Sequence, residues 1–306
     1  MKKLEPGISI YGVDKKPERC EKVKAEYDVV TFSSIDEAAE GKQIDCGFVC
    51  TSPLSHAAII RELSKRNINV FTEINLVDDG YEEFADEKRV RLFLSSTFLY
   101  RKDIQCMISE VKKQDRVNYI YHTGQYLPDW HPWENYKDFF VGDRRTNGCR
   151  EIMAIEFPWL VRCFGDIEKI SVSKDKMTGL NIDYPDNYLL KTEHAGGSKG
   201  IIAIDVVARH AIRRMEIYNE DMHLFWEGTP DSLSRWDQND GSMEKINTYD
   251  AVEHDERYSG NIIENAYMDE IDAFFTWLKG DDSKVLYDFE KDKKILAYID
   301  EIEGAL

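Results

Sequence analysis

Short apolar runs alternate with helical stretches through roughly the first third of the chain, and this alternation is the strongest constraint on the fold. Apolar runs fall at residues 8–13, 29–32, 46–50, 69–72 and 91–96. Helical stretches lie between and after them, at 17–27, 34–39, 55–65, 81–87 and 102–113. Pro17 sits near the first turn of its helix, where a missing N–H is tolerated. Ser34 or Asp36 can cap the next. Strands this short and apolar, separated by helices, predict a parallel sheet covered on both faces.

From about Asp115 the rhythm changes. Residues 148–164 form a long helical stretch in which Pro158 predicts a kink or an interruption. Runs at 167–172, 187–193, 200–207, 213–218 and 223–227 read as strands, and Gly196-Gly197 offers hairpin-turn chemistry between two of them. Two helices close the chain, at about 261–279 and 289–303. The expectation is an α/β chain in two parts. A parallel-sheet domain spans 1–115, and an α+β domain with a large, mostly antiparallel sheet spans 116–306.

Composition narrows the function. With 58 acidic against 40 basic residues the net charge is −18, unlike the basic surface of a nucleic-acid binder. No apolar run reaches the ~18 residues of a membrane span. The start, Met1-Lys2-Lys3-Leu4-Glu5-Pro6, has no apolar core of a signal peptide. The chain reads as cytoplasmic, with a small-molecule partner rather than nucleic acid or membrane. Its six cysteines (20, 46, 50, 106, 149 and 163) include no CxxC pair, so free, buried thiols and no metal site are expected.

Several segments, in order, resemble the Gfo/Idh/MocA oxidoreductases. Val13-Asp14-Lys15-Lys16-Pro17-Glu18-Arg19 is similar to the end of that family's second Rossmann strand. Residues 45–56, DCGFVCTSPLSH, resemble its fourth strand and the Thr-Pro-x-x-x-His turn that follows. Val70-Phe71-Thr72-Glu73 resembles the strand leading to its Glu-Lys-Pro motif. Residues 149–166 resemble the helix that carries its catalytic histidine and ends in Phe-Gly-Asp, and residues 193–205 its C-terminal glycine hairpin. The likeness spans nearly the whole chain. It implies a Rossmann-like dinucleotide-binding domain, then an α+β domain for substrate and oligomerisation, and hydride transfer between a nicotinamide and a sugar or nucleotide-sugar-like hydroxyl or carbonyl. It further implies that Asp14 meets the adenosine ribose hydroxyls, which favours NAD over NADP. Arg19 would lie near the adenine, and Thr51, Ser52, Pro53 and His56 beside the nicotinamide ribose. Glu73 keeps the carboxylate of the Glu-Lys-Pro motif.

Three departures accompany the resemblance. No G-x-G-x-x-G occurs, although a dinucleotide fold opens with a strand, that loop and a helix. The first strand here corresponds to the family's second, so the central strand of the 3-2-1-4-5-6 order has no counterpart. Met1 to Leu4 resembles the tail of the helix after the glycine loop. The expectation is that about 20–25 residues of strand, loop and helix are missing upstream. Second, Glu-Lys-Pro reads Glu73-Ile74-Asn75, and Ile74 can neither donate a hydrogen bond nor move a proton. Third, the helix expected to carry Asp-x-x-x-His reads Arg150-Glu151-Ile152-Met153-Ala154-Ile155-Glu156, which puts Ile155 or Glu156 where the histidine belongs.

Hydride transfer at a carbon bearing oxygen requires proton transfer to or from that oxygen. Glu156 and His131 are the candidates. Glu156 either takes that role or pairs with a nearby arginine. His131 lies in Tyr126-Leu127-Pro128-Asp129-Trp130-His131-Pro132-Trp133, where Trp130 and Trp133 offer faces for a sugar or anchor a long loop. His122, Tyr100, Arg101, Arg144, Arg145 and Arg150 are candidate substrate contacts. The arginines could hold a carboxylate or phosphate, or serve as ordinary ion-pair partners. Two function classes stand: an NAD-dependent oxidoreductase with an unusual proton-transfer group, and a non-catalytic relative that binds a ligand or acts as a scaffold. A homodimer or homotetramer joined through the C-terminal sheet is expected in either case.

Overall fold

The computed structural model describes residues 1–254 and 263–305. In the first part the elements are β1 (Tyr11–Val13), α1 (Pro17–Tyr27), β2 (Val30–Phe32), α2 (Ile35–Ala39), β3 (Cys46–Val49), α3 (Pro53–Lys65), β4 (Asn69–Thr72), α4 (Tyr81–Ala85), β5 (Leu92–Leu94) and α5 (Lys102–Val111). Every strand pair here is parallel, as the apolar runs predict. The sheet comes in two pieces, β1-β2 and β3-β4-β5. Among the described residues no strand joins β1 to β3. The position of a first Rossmann strand is therefore unfilled, and β1 and β3 each keep one edge without a ladder partner.

The second part contains β6 (Asn118–Gly124), α6 (Gly148–Phe164), β7 (Ile167–Asp175), β8 (Asn187–His194), β9 (Lys199–Asp205), β10 (Ile212–Tyr218), β11 (His223–Trp226), β12 (Ser234–Asp237), β13 (Ser242–Lys245), α7 (Glu264–Leu278) and α8 (Phe289–Gly304). Its eight strands run in the order β13-β12-β11-β10-β6-β9-β8-β7. All neighbours are antiparallel except β6 and β9. Period-two alternation separates the faces. Tyr188, Leu190, Ile202, Ile204, Met215 and Ile217 point inward and are buried, whereas Ile120, Leu189 and Ile201 lie on the other face, exposed.

The core is one contiguous cluster. On β3, β4 and β5 the rings of Phe48, Phe71 and Phe93 stack in sequence at 4.7 and 5.3 Å. Phe274 of α7 meets all three edge-on, a geometry suited to the ring quadrupoles. Trp159 of α6 stands against Tyr121 of β6 and Trp226 of β11.

Several expectations change in detail. The α6 helix continues through Pro158. Phe157, Pro158, Trp159 and Leu160 are buried there, so packing outweighs the lost backbone hydrogen bond. The β12-β13 hairpin has no apolar run to announce it. It turns at Gly241, whose φ of +70° is left-handed, and two residues of each strand are charged, Arg235 and Asp237 in β12 and Glu244 and Lys245 in β13. Residues 261 and 262 of the expected closing helix lie outside the described residues. All six thiols are free, but only Cys149 and Cys163 are buried, and Cys50 is exposed.

Candidate active site

The carboxyl ends of β3 and β4 gather four of the expected cofactor residues and the carboxylate of Glu73. The peptide N–H of Glu73 donates to the Val49 carbonyl at 3.0 Å, which fixes the end of β4 against β3. Beyond Val49 the chain turns at Thr51 and Ser52, and Pro53 opens α3. Ser55 closes that turn, its hydroxyl 2.7 Å from the Thr51 hydroxyl and donating to the Ser52 carbonyl at 2.7 Å. The Ser52 side chain makes no capping bond, so the polar N-terminal turn of α3 is not closed off by its own cap.

His56 is buried one turn into α3. Its Nε2 lies 2.9 Å from the Thr51 carbonyl and its Nδ1 2.7 Å from Oδ1 of Asn75. The Asn75 amide donates to the Tyr81 hydroxyl at 2.9 Å, and Tyr81 donates to Asp292 of α8. Tyr287 completes the chain with a 2.8 Å bond to the same carboxyl. His56 is therefore a buried support for the Thr51 turn, positioned from α8 through Asn75 and Tyr81. Burial raises the Asp292 carboxyl to about 7, against the pull of its two tyrosine donors.

A second feature is an excess of buried acid. Glu270 of α7 accepts from the Ser95 hydroxyl at 3.0 Å, the Ser96 N–H at 2.7 Å and the Thr97 hydroxyl at 2.7 Å. Burial still raises it to about 7. Burial raises Glu73 too, partly offset by the Ile74 N–H. Glu151, in the first turn of α6, is raised to about 8 by burial and then by the Glu73 charge. The Oε2 atom of Glu151 is buried with no hydrogen-bond partner. When Ile155 takes the histidine position, Glu151 stands four residues earlier, on the acidic position of Asp-x-x-x-His.

Asp14 and Arg19 come together on the other piece of the parallel sheet. The Asp14 carboxylate, just past β1, accepts from the Lys16 N–H at 2.8 Å and pairs with Arg19 at 3.6 Å. This puts them at the carboxyl end of β1, a strand that pairs along one edge only.

The remaining candidates sit elsewhere. Glu156 is fully buried and accepts from the Tyr121 hydroxyl at 2.6 Å and the Trp159 indole at 2.7 Å, with Arg213 of β10 at 2.9–3.0 Å. Every oxygen is used inside the second part, with no exposed face for a substrate, so the arginine-pairing alternative describes it. Arg101 is also internal: it pairs with Asp103 at 2.5 Å, donates to the Gly228 carbonyl and stacks on Trp226. Buried Tyr100 donates its hydroxyl to the Lys284 carbonyl at 3.2 Å. His122 lies within β6, two residues before its end, 2.7 Å from Asp205 of β9. Arg145 pairs with Asp79, and Arg150 with Asp300 and Glu303 of α8. The Arg144 carbonyl accepts from Asn147, the α6 cap.

The aromatic loop covers the start of α6. A Cβ added at Gly148 would meet Leu127 and Trp130 at 3.0 and 3.4 Å, so the loop approaches the helix closely. The Trp130 indole donates to the Gln125 carbonyl at 2.9 Å. His131 stacks between Trp133 and Phe139 at 5.1 and 4.5 Å and bonds to Glu134. Trp133 is 72% exposed.

Residues 9–77 match the Gfo/Idh/MocA family model, described as an oxidoreductase family with an NAD-binding Rossmann fold. Solved structures extend the likeness over the whole chain. Over the whole chain the fold is the two-part fold of Gfo/Idh/MocA oxidoreductase structures. An oxidoreductase from Agrobacterium radiobacter, solved with NAD+, L-tartaric acid and magnesium, is 13% identical with a TM-score of 0.73, covering 98% of this chain and 89% of that one. The UDP-N-acetylglucosamine 3-dehydrogenase GnnA from Acidithiobacillus ferrooxidans is 14% identical, with a TM-score of 0.70 over 96% and 88%. The WlbA dehydrogenase from Bordetella pertussis, solved with NADH and UDP-GlcNAcA, is 14% identical, with a TM-score of 0.67 over 96% and 86%. No curated relative matches in sequence. The Gfo/Idh/MocA architecture accounts for the parallel strands, the large second sheet and the closing pair of helices.

Proposed function

We propose that this chain is an NAD-dependent oxidoreductase acting on a hydroxyl or carbonyl of a sugar or nucleotide sugar. The observation that supports it is the crevice end of the parallel strands. Thr51, Ser52, Pro53, His56 and Glu73 meet there at β3 and β4, with Asp14 at the end of β1. Open α/β sheets bind ligands outside the carboxyl ends of their strands. Residues 1–115 would carry the nucleotide, and residues 116–306 the substrate and the subunit contacts.

These residues fit the two ends of a dinucleotide and not its middle. Asp14 would accept from the adenosine ribose hydroxyls, with Arg19 beside the adenine. Thr51 and Ser52 would face the nicotinamide ribose. No glycine loop is available among the 306 residues for the pyrophosphate. When bound, the nicotinamide supplies hydride chemistry. The chain's own part is to hold the turn at Thr51 through His56, to shield the reacting carbon with the loop at 126–136, and to move one proton.

NADH titration by fluorescence, with melting temperature as the second readout, tests the reading. A ligand at 100 times its dissociation constant stabilises its protein by about 2.7 kcal/mol. The 306-residue chain is compared with a form extended by the codons in frame ahead of Met1. Binding by either form supports the oxidoreductase. Binding by neither favours the second reading, a non-catalytic ligand-binding or scaffold relative, to which Ile74 and the committed state of Glu156 also point.

A further inference from the structure

We propose that the buried chain from His56 through Asn75 and Tyr81 to Asp292 stores one proton, and that this proton locks the Thr51-Ser52 turn at the rim of the crevice. The inference goes beyond the oxidoreductase reading and needs no bound ligand. It starts from a count of donors and acceptors. The His56 ring places Nε2 at 2.9 Å from the Thr51 carbonyl and Nδ1 at 2.7 Å from Oδ1 of Asn75. A peptide carbonyl only accepts. The Thr72 hydroxyl, 3.4 Å from Nδ1, gives its proton to the Glu73 carbonyl at 3.2 Å. With the Asn75 amide donating to Tyr81 and Tyr81 to Asp292, both ring nitrogens face acceptors, and both need a proton.

Turning the Asn75 amide over moves that need to the far end. Nδ1 then accepts from the amide, and Oδ1 takes the Tyr81 hydroxyl proton. Tyr81 has only one proton to give, so the Asp292 carboxyl must supply the next. In either arrangement the chain of groups holds one proton more than a neutral imidazole and an ionised carboxylate would. Asn75 makes this possible. It stands at the third position of Glu73-Ile74-Asn75, where the Glu-Lys-Pro motif has a proline with no side-chain donor or acceptor.

Without that proton, one contact must set two acceptors face to face, which a buried network does not tolerate. Asn75, Tyr81, Tyr287 and Asp292 are all buried. Thr51 and Ser52 are exposed, so the Thr51 carbonyl is the acceptor that can turn to water. The surface end therefore gives way, and the turn that opens α3 loosens. Burial sets the range, raising the Asp292 carboxyl to about 7 against its two tyrosine donors. Asp288 at the α8 cap pushes the same way; Arg150 of α6, tied to Asp300 and Glu303, pulls the other way. Asp78 lies near Tyr81. Lys291 pairs with Asp288, and Lys293 with Glu82 of α4. At the His56 end Glu73 follows Thr72 and is itself raised by burial. The lock is closed in mild acid and opens as pH rises through about 7.

Nitrogen and carbon NMR of the full chain, without any ligand, reads the lock directly. Below the step, Nε2 of His56 should carry a proton; above it, the ring should keep only Nδ1–H. The Thr51 carbonyl carbon and the Asp292 carboxyl carbon should shift over the same step. D292N has an amide that donates to Tyr81 at every pH. In it Nε2 should keep its proton, and the Thr51 signal should lose its step. Y81F cuts the chain between Asn75 and Asp292, so the Thr51 and Asp292 signals should no longer change together. A wild type in which Nε2 keeps its proton beyond the Asp292 step would overturn the proposal. So would a Thr51 step that survives unchanged in D292N, or a shared step that survives in Y81F. Because Y81F leaves Asp292 in place, it decides the matter even if D292N does not fold.

Discussion

Removing the Glu156 carboxylate would leave a buried arginine and two ring-borne donors facing nothing. E156A should therefore cost about 3–5 kcal/mol, the scale of breaking a buried ion pair, measured by urea unfolding. The same substitution in a surface pair such as Lys293–Glu82 should be nearly silent. The partners of Glu156 arrive from β6 and β10, distant in sequence, so no local pattern could show that its oxygens were taken. Asp292 gives a prediction with a definite sign. Its carboxyl rises from 3.8 unfolded to about 7 folded, so between those values the folded state holds the extra proton. Its contribution is complete below the unfolded value and is lost as pH rises through the folded one. D292N, which cannot ionise, should gain on wild type by about 2 kcal/mol between roughly pH 5 and pH 8, read from denaturant midpoints at each pH.

Among the elements, the paired strands β6 and β9 are the most exacting. A Cβ on Gly200 would fall 2.0 Å from the Tyr119 ring. That ring stacks on Phe164 at 3.9 Å, and its hydroxyl meets Thr192 and His194 at 2.9 and 2.8 Å. G200A should displace the ring and cost about 1–3 kcal/mol, visible as a lower Tm with loss of near-ultraviolet dichroism. The parallel strands and the hairpin at Gly196-Gly197 were legible because period and turn chemistry are local. The β12-β13 hairpin was not, since six of its eight strand residues are polar or charged and its pairing with β11 is set by the neighbouring strands. Pro158 does not interrupt its helix for a related reason: the buried flanks Phe157, Trp159 and Leu160 hold a proline that an isolated helix would not tolerate.

On the scale of the whole molecule, the eight-stranded sheet keeps one apolar face open. Ile120, Leu189 and Ile201 are each about half exposed there, at 46, 56 and 50%. Exposed apolar patches of this kind mark association surfaces. The proposed homo-oligomer would bury them, and I201E should shift the sedimentation coefficient toward the monomer without lowering Tm by more than a degree or so. The resemblance carried the two-part architecture correctly from the sequence. The site was less legible, because His56, Asn75, Tyr81 and Asp292 meet only after α8 packs against α4.

The divided parallel sheet has a consequence for how the molecule opens. The piece built from β1, α1 and β2 has no buried residue in its helix, and its strands are exposed or half-buried, whereas Val70, Phe71, Phe93 and Leu94 in the other piece are shut away from solvent. Cooperative units with few buried contacts unfold separately. Amide protons in residues 11–32 should therefore exchange by local opening, well before those of β4 and β5, which await global unfolding. The wall of the crevice that carries Asp14 would then be the first part of the fold to come apart and the last to set.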